Sequence, residues 1–160
     1  MREIEADRVA ETVSLLLRDA CYRLPDDAIA ALRSAREGEE SPAARSVLSG
    51  LLENAEAAVC DETPLCQDTG MAVVFLELGQ DLHVVGGDLE AAVQEGTRRA
   101  YSRGYLRMSV VDRPFSARTN TRDNTPAVIH TVVVPGENLK ITALSKGFGS
   151  ENMSRIVMMP

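Results

Sequence analysis

Val9, Val13, Leu16, Leu17, Ala20, Cys21 and Leu24 recur every three or four residues. That spacing lays one apolar stripe along a helix and predicts helix from about residue 5 to 23. Pro25 followed by Asp26 and Asp27 opens a second helix through about Arg36, because proline suits a first turn and carboxylates favour the positive N-terminal end. Gly38 ends it. Ser41 ahead of Pro42 pairs a capping hydroxyl with a first-turn proline, and Val47, Leu48, Leu51, Leu52, Ala55, Ala58 and Val59 carry a third helical stripe from 42 to about 60.

The pattern then changes period. Met71 to Leu78 is a continuous apolar, β-prone run, and Leu82 to Val85 is a shorter one before Gly86 and Gly87. Asp88 is placed to cap a helix over about 88–103, with Leu89, Ala92, Val93, Gly96 and Ala100 on one side. Residues 104–126 have no periodicity and are rich in Arg, Asn, Thr and Asp, which predicts a functional or interface loop. Val128 to Val134 and Leu139 to Leu144 read as strands joined by Pro135-Gly136-Glu137-Asn138, an expected antiparallel hairpin. The fold class is therefore mixed α and β: three N-terminal helices, then a mixed sheet with a crossover helix.

At 160 residues and 44% apolar content the chain suits a single domain with its own core. Its closing run, Arg155 to Pro160, is apolar and uncapped, which predicts a domain incomplete at the C-terminus. No stretch approaches a membrane span, and the acidic N-terminus does not suit a signal peptide, so a cytoplasmic location is expected. A net charge of −7 argues against a nucleic-acid partner. That charge is unevenly divided. Residues 1–97 carry 7 Lys/Arg against 20 Asp/Glu, a net of −13, whereas residues 98–160 carry 10 against 4, a net of +6. An anion would go to the second part, where Arg107, Arg113, Arg118, Arg122, Lys140, Lys146 and Arg155 lie, unless these charges pair with the acidic helices or an interface.

Candidate chemistry concentrates in Pro64-Leu65-Cys66-Gln67-Asp68-Thr69-Gly70, which sets a thiol, a carboxamide, a carboxylate and a hydroxyl ahead of a turn glycine. The same run also reads as a free cysteine beside an Asx turn. Cys21 belongs to the first apolar stripe and Cys60 ends the third helix, so both are expected to be structural, and three unevenly spaced cysteines do not suggest disulfides. His130 sits in a β-run, where a packed, hydrogen-bonded role is expected over a catalytic one. Asn120, Thr121 and Asn124 either order the loop around a site or satisfy its backbone, and Lys146 either meets an anion or is a solvated strand end.

Four segments taken together, Pro64 to Gly70, Arg103-Gly104-Tyr105-Leu106-Arg107, Asn120 to Ala127, and Lys146-Gly147-Phe148-Gly149-Ser150-Glu151-Asn152-Met153, resemble in order and context the class I fumarate hydratases and L-tartrate dehydratases. The likeness spans nearly the whole chain and is to the N-terminal part of the α subunit, or the equivalent region of single-chain members. It implies an oligomeric iron-sulfur hydro-lyase that adds or removes water on a small dicarboxylic acid, with a 4Fe-4S cluster as Lewis acid and a C-terminal domain or β subunit as partner. By the same likeness Cys66 is the first cluster ligand, with two more expected downstream, and Cys21 and Cys60 fall outside the ligand motifs. Gln67 and Asp68 match substrate-contacting positions, Asp68 being the acid/base candidate on this chain. Arg107 matches a carboxylate-binding arginine, and Gly149 and Asn152 match the glycine-rich loop around the ligand. Phe148 departs from the pattern, standing where a glycine is usual. The alternative from another class is a non-catalytic anion-binding or assembly module.

Overall fold

The computed structural model describes residues 2–158, apart from the side chain of Ser150. Met159 and Pro160, the end of the apolar run noted above, lie outside the described residues. A short strand β1 (Arg2–Glu5) runs directly into helix α1 (Ala6–Tyr22), followed by α2 (Asp26–Gly38) and α3 (Pro42–Cys60). The chain continues through β2 (Met71–Gly79), β3 (Leu82–Val85), α4 (Leu89–Arg103), the two-residue strands β4 (Val111–Asp112) and β5 (Thr119–Asn120), β6 (Val128–Val134), β7 (Leu139–Lys146) and a short α5 (Gly149–Met153). The expected helices and the mixed sheet are present, and the two side-chain caps read from the sequence form, whereas Pro25 stands just outside α2 at its N-cap position instead of in the first turn. Ser41 Oγ accepts the Ala44 N–H at 3.5 Å, and Asp88 Oδ1 accepts the Ala91 N–H at 2.8 Å.

The core forms where α1 and α4 pack together against one face of the β2 sheet. Val9, Val13 and Leu17 of α1 and Val93 and Ala100 of α4 are completely buried, together with Ala72, Val74 and Leu76 from alternate positions of β2. Gly96 lets the two helices approach closely. A Cβ there would lie 2.5 Å from the Ala10 carbonyl oxygen and 2.7 Å from Val13 Cβ. The opposite face of the sheet is open. Phe75, Val128, Val132 and Leu144 are exposed on it, and Phe75 stacks on His130 with ring centroids 4.9 Å apart.

Strand order corrects the expected hairpin. β2 lies between β6 and β7, parallel to the first and antiparallel to the second, so the two strands joined by the Pro135–Asn138 turn never pair. The turn instead straddles the end of β2: Gly79 N–H donates to Asn138 O, Gln80 N–H to Val134 O and Asp81 N–H to Gly136 O, at 2.8, 2.8 and 2.9 Å. Gly79 makes room for this, since a Cβ would lie 2.6 Å from the Gly136 oxygen. The physical reason is that β2 is the most apolar strand and satisfies both of its backbone edges only as the central one.

Two further expectations need correction. Cys60 is exposed at the end of α3 rather than buried. The α3 stripe is only half used: Leu52, Ala55 and Ala58 are buried, but Val47 and Leu51 face solvent, because α3 packs chiefly on α2, which itself buries no residue.

Candidate functional site

After α3 the chain doubles back across the C-terminal end of α1, where the Leu65 N–H donates to Cys21 O at 2.9 Å and Asn54 Nδ2 donates to Leu65 O at 2.9 Å. These two ties set the start of the Cys66–Gly70 turn. Its far end is held from beneath. The buried Tyr101 hydroxyl donates to Thr69 O at 2.6 Å, and Ser145 Oγ donates to the same oxygen. Burial pushes the Tyr101 pKa well up, so its hydroxyl keeps its proton and remains a donor. Gly70 has φ +50°, and a Cβ there would lie 1.7 Å from Lys146 O, so no other residue fits where the turn enters β2.

Arg107 reaches the same place from the irregular loop after α4. Thr69 Oγ1 donates to Arg107 O at 3.1 Å. Asn124, fully buried, accepts the N–H groups of Ser109 and Val110 on Oδ1 at 2.7 and 3.0 Å and donates from Nδ2 to Gly70 O at 3.0 Å. Asn120 Nδ2 holds Met108 O at 2.8 Å, so Asn120 and Asn124 both order the loop around Arg107.

The third wall is the segment after β7. Phe148 N–H donates to Asp68 Oδ1 at 3.2 Å, and Gly147 is pressed so close that a Cβ would lie 2.9 Å from Asp68 Oδ2. Glu151 Oε1 accepts the Gly147 N–H at 2.9 Å. Lys146 Nζ donates to Gly147 O and Asn152 Oδ1 at 2.7 and 3.0 Å and pairs with Glu151 at 3.3 Å.

These three segments enclose an open pocket of about 330 Å³ lined by Gln67, Asp68, Arg107, Ser109, Phe148 and Gly149. Of the residues singled out in the sequence, Gln67, Asp68, Arg107 and Gly149 thus come together from positions more than 80 residues apart. Asn152 does not line the pocket; its carboxamide oxygen is engaged by Lys146. Cys66 is exposed, one residue before the lining begins. His130 is elsewhere, on the open face of the sheet. Ser109 was not foreseen, and only its position two residues after Arg107 could have pointed to it. Among the described residues, Arg107 has no ion-pair partner, whereas Arg113, Lys140 and Lys146 pair with Asp112, Glu77 and Glu151. A pocket with a carboxamide, a hydroxyl, an unneutralised guanidinium and a carboxylate is equipped to hold a small anion and move a proton beside it.

Among the described residues no three His, Cys, Asp or Glu side chains gather as a metal site. Cys66 offers an accessible thiol, while burial raises the Cys21 pKa and keeps that thiol protonated. A larger groove of about 400 Å³ between α2 and α3 is lined by Leu24, Ile29, Leu52 and Val59 together with charged residues of both signs, Arg23, Arg33, Asp26 and Glu56.

The chain is similar over 95% of its length, at 32% identity, to a Methanocaldococcus jannaschii protein named "Putative L(+)-tartrate dehydratase subunit alpha", of which it covers 55%. It is 34% identical over 153 residues to the aerobic class I fumarate hydratase of Escherichia coli, covering 89% of this chain and 27% of that enzyme. An L(+)-tartrate dehydratase subunit alpha of Escherichia coli is 25% identical over 157 residues, covering 96% of this chain and 52% of that subunit. The chain therefore spans about half, or less, of the length of these relatives. Residues 10–160 match the family described as fumarate hydratase (Fumerase), and the chain belongs to that family.

Proposed function

We propose that this chain is the N-terminal catalytic region of a hydro-lyase that reversibly adds or removes water on a small dicarboxylic acid of the fumarate/malate or tartrate type. The observation that carries this reading is the convergence of Gln67, Asp68, Arg107 and Gly149 on one pocket in a member of the Fumerase family. The pocket and the family support each other: an anion site with an adjacent carboxylate is what such a reaction needs on this side of the substrate.

Arg107 binds one substrate carboxylate through its planar fork. Gln67 hydrogen-bonds a substrate oxygen. Asp68, with Oδ1 fixed by the Phe148 N–H, keeps Oδ2 beside Gly147, where the absent Cβ leaves it room. In the dehydration direction Asp68 takes the proton from the carbon next to the one bearing the hydroxyl. The C–H electron pair becomes the C=C bond as the C–O bond breaks and hydroxide leaves. Hydration is the reverse.

The exposed thiol of Cys66 fits one corner of a 4Fe-4S cluster, and the remaining ligands would come from the further length that the relatives possess. Such a cluster, with one iron not held by thiolate, supplies a Lewis-acid position for the leaving hydroxyl. The same further length, as a fused domain or a separate subunit, completes the site, and an oligomer of such units is expected, located in the cytoplasm. No helix among the described residues is long and apolar enough to cross a membrane.

The test is the iron and acid-labile sulfide content of the natural-length protein purified without oxygen, measured beside hydration of fumarate and dehydration of tartrate. About four of each per chain are expected, with turnover of one substrate. Cys66→Ser should lose the iron and the turnover together. Retention of both by that variant would remove Cys66 from the site, and absence of iron after anaerobic reconstitution would leave an anion-binding module.

A further inference from the structure

We infer that Asn124 is a positioning residue that fixes Arg107 relative to Asp68. The loop carrying Arg107 has little regular structure of its own, with only β4 and β5 pairing at two positions. Its place against the Cys66–Gly70 turn must therefore come from side chains. Asn124 supplies three such bonds from a fully buried position. Two go to Ser109 and Val110, just beyond Arg107, and the third to Gly70, two residues beyond Asp68. Both lone-pair directions of Oδ1 and one N–H of Nδ2 are thus spent on the two opposite walls of the pocket. Asn124 also sits at φ +60°, in the left-handed region that asparagine tolerates better than most residues. A single side chain thus links the anion-binding wall to the proton-moving wall, with the Thr69 hydroxyl on Arg107 O as a weaker second tie.

The distinction from ordinary loop packing lies in which group the loss acts through. If Asn124 acts by placing Arg107, its removal matters only while Arg107 is present. Glycine is the replacement that accepts φ +60° without strain, and it removes the three side-chain bonds together with the buried carboxamide.

A double-mutant cycle on the natural-length protein decides the matter, using wild type, Asn124→Gly, Arg107→Met and the double variant. The primary readout is the Kd for succinate, a dicarboxylate that cannot undergo the reaction, by titration calorimetry. The second is kcat/KM for the hydration. Because the kinetic readout rests on the hydro-lyase reading and the succinate readout does not, the two can fail separately. Asn124→Gly alone should weaken succinate binding and lower kcat/KM, the latter by up to about 10²-fold for a displacement near 1 Å. In the Arg107→Met background the same change should cost no more than about twofold. Equal factors in both backgrounds, or no loss in the single variant, overturn the inference. Succinate binding with the expected coupling but no turnover would sustain it while defeating the hydro-lyase reading. If Asn124→Gly melts below working temperature, Asn124→Asp, which keeps the Oδ1 acceptor for Ser109 and Val110 and loses the Nδ2 donor to Gly70 O, replaces it with the same expected coupling.

Discussion

Arg107 and Asp68 line one pocket, and the roles proposed for them, carboxylate binding and proton transfer, differ, so their substitutions should separate. Arg107→Met keeps the length and apolar stem while removing the fork, and should cost about 2–4 kcal/mol in kcat/KM for a dicarboxylate, a carboxylate contact's worth. An unchanged value would take Arg107 out of the site. Asp68→Asn keeps an acceptor for the Phe148 N–H and so should melt close to wild type, while kcat falls about 10²–10⁴-fold through loss of the proton acceptor. A matching drop in Tm would instead mark Asp68 as a strut for the 147–148 segment. At this scale the sequence was informative where a residue type is rare for its place. A carboxylate inside a Cys-Gln-Asp-Thr-Gly turn is recognisable by itself and Arg107 through the family resemblance of Arg103 to Arg107 and the basic second part of the chain, whereas Ser109 is a serine in a loop and has no pattern to betray it. Cys60 shows the converse: a residue type that is usually buried was placed inside by its composition, yet it ends a helix whose outer turns face solvent.

Among the elements, the contact of α1 with α4 gives the sharpest contrast. Gly50 in α3 and Gly96 in α4 are both interior helical glycines, and alanine at either would gain about 0.5–1 kcal/mol of helix propensity. At Gly50 nothing lies within 4 Å of a new Cβ, so Gly50→Ala should raise Tm. At Gly96 the new Cβ would sit 2.5 Å from a backbone oxygen of α1, and overpacking of about 1–3 kcal/mol outweighs the propensity gain. Gly96→Ala should therefore lower Tm, and a rise there would show that the two helices can spread without cost. The same comparison explains what was legible in the elements. Helix positions followed from periodicity and capping, which are local. Strand partners did not, because the Pro135–Asn138 segment is a good turn whether its strands pair with each other or flank a third. Only the need of β2 for two partners decides it, and that need is not local. β1 was missed for a similar reason: four residues with three charges pair with β3 because α1 carries them there.

Across the whole molecule, the acidic first part and the basic second part are joined at α4. Arg99 pairs with Asp7 of α1 and with Glu95, and Arg98 pairs with Glu95 and with Asp123 of the loop that carries Arg107. Hydrogen bonds from Arg99 and Arg98 hold the Glu95 carboxyl below its ordinary pKa. Burial works against the Asp123 carboxylate, but the Thr125 N–H and hydroxyl and Arg98 outweigh it, so Asp123 is lowered as well. A carboxyl with a folded-state pKa below its unfolded one stabilises the fold above the unfolded value and loses that contribution as pH falls through the folded one. The network should therefore be intact at neutral pH and weaken from about pH 4.5 downward. Replacing both acids, as Glu95→Gln with Asp123→Asn, should lower Tm modestly at pH 7, since such half-exposed pairs are individually weak. The gap to wild type should close progressively as pH is taken towards 3. A gap that stays constant over that range would mean that the two side chains act by shape rather than charge. Salt gives a separate check, because added salt at pH 7 should narrow the same gap by screening these pairs.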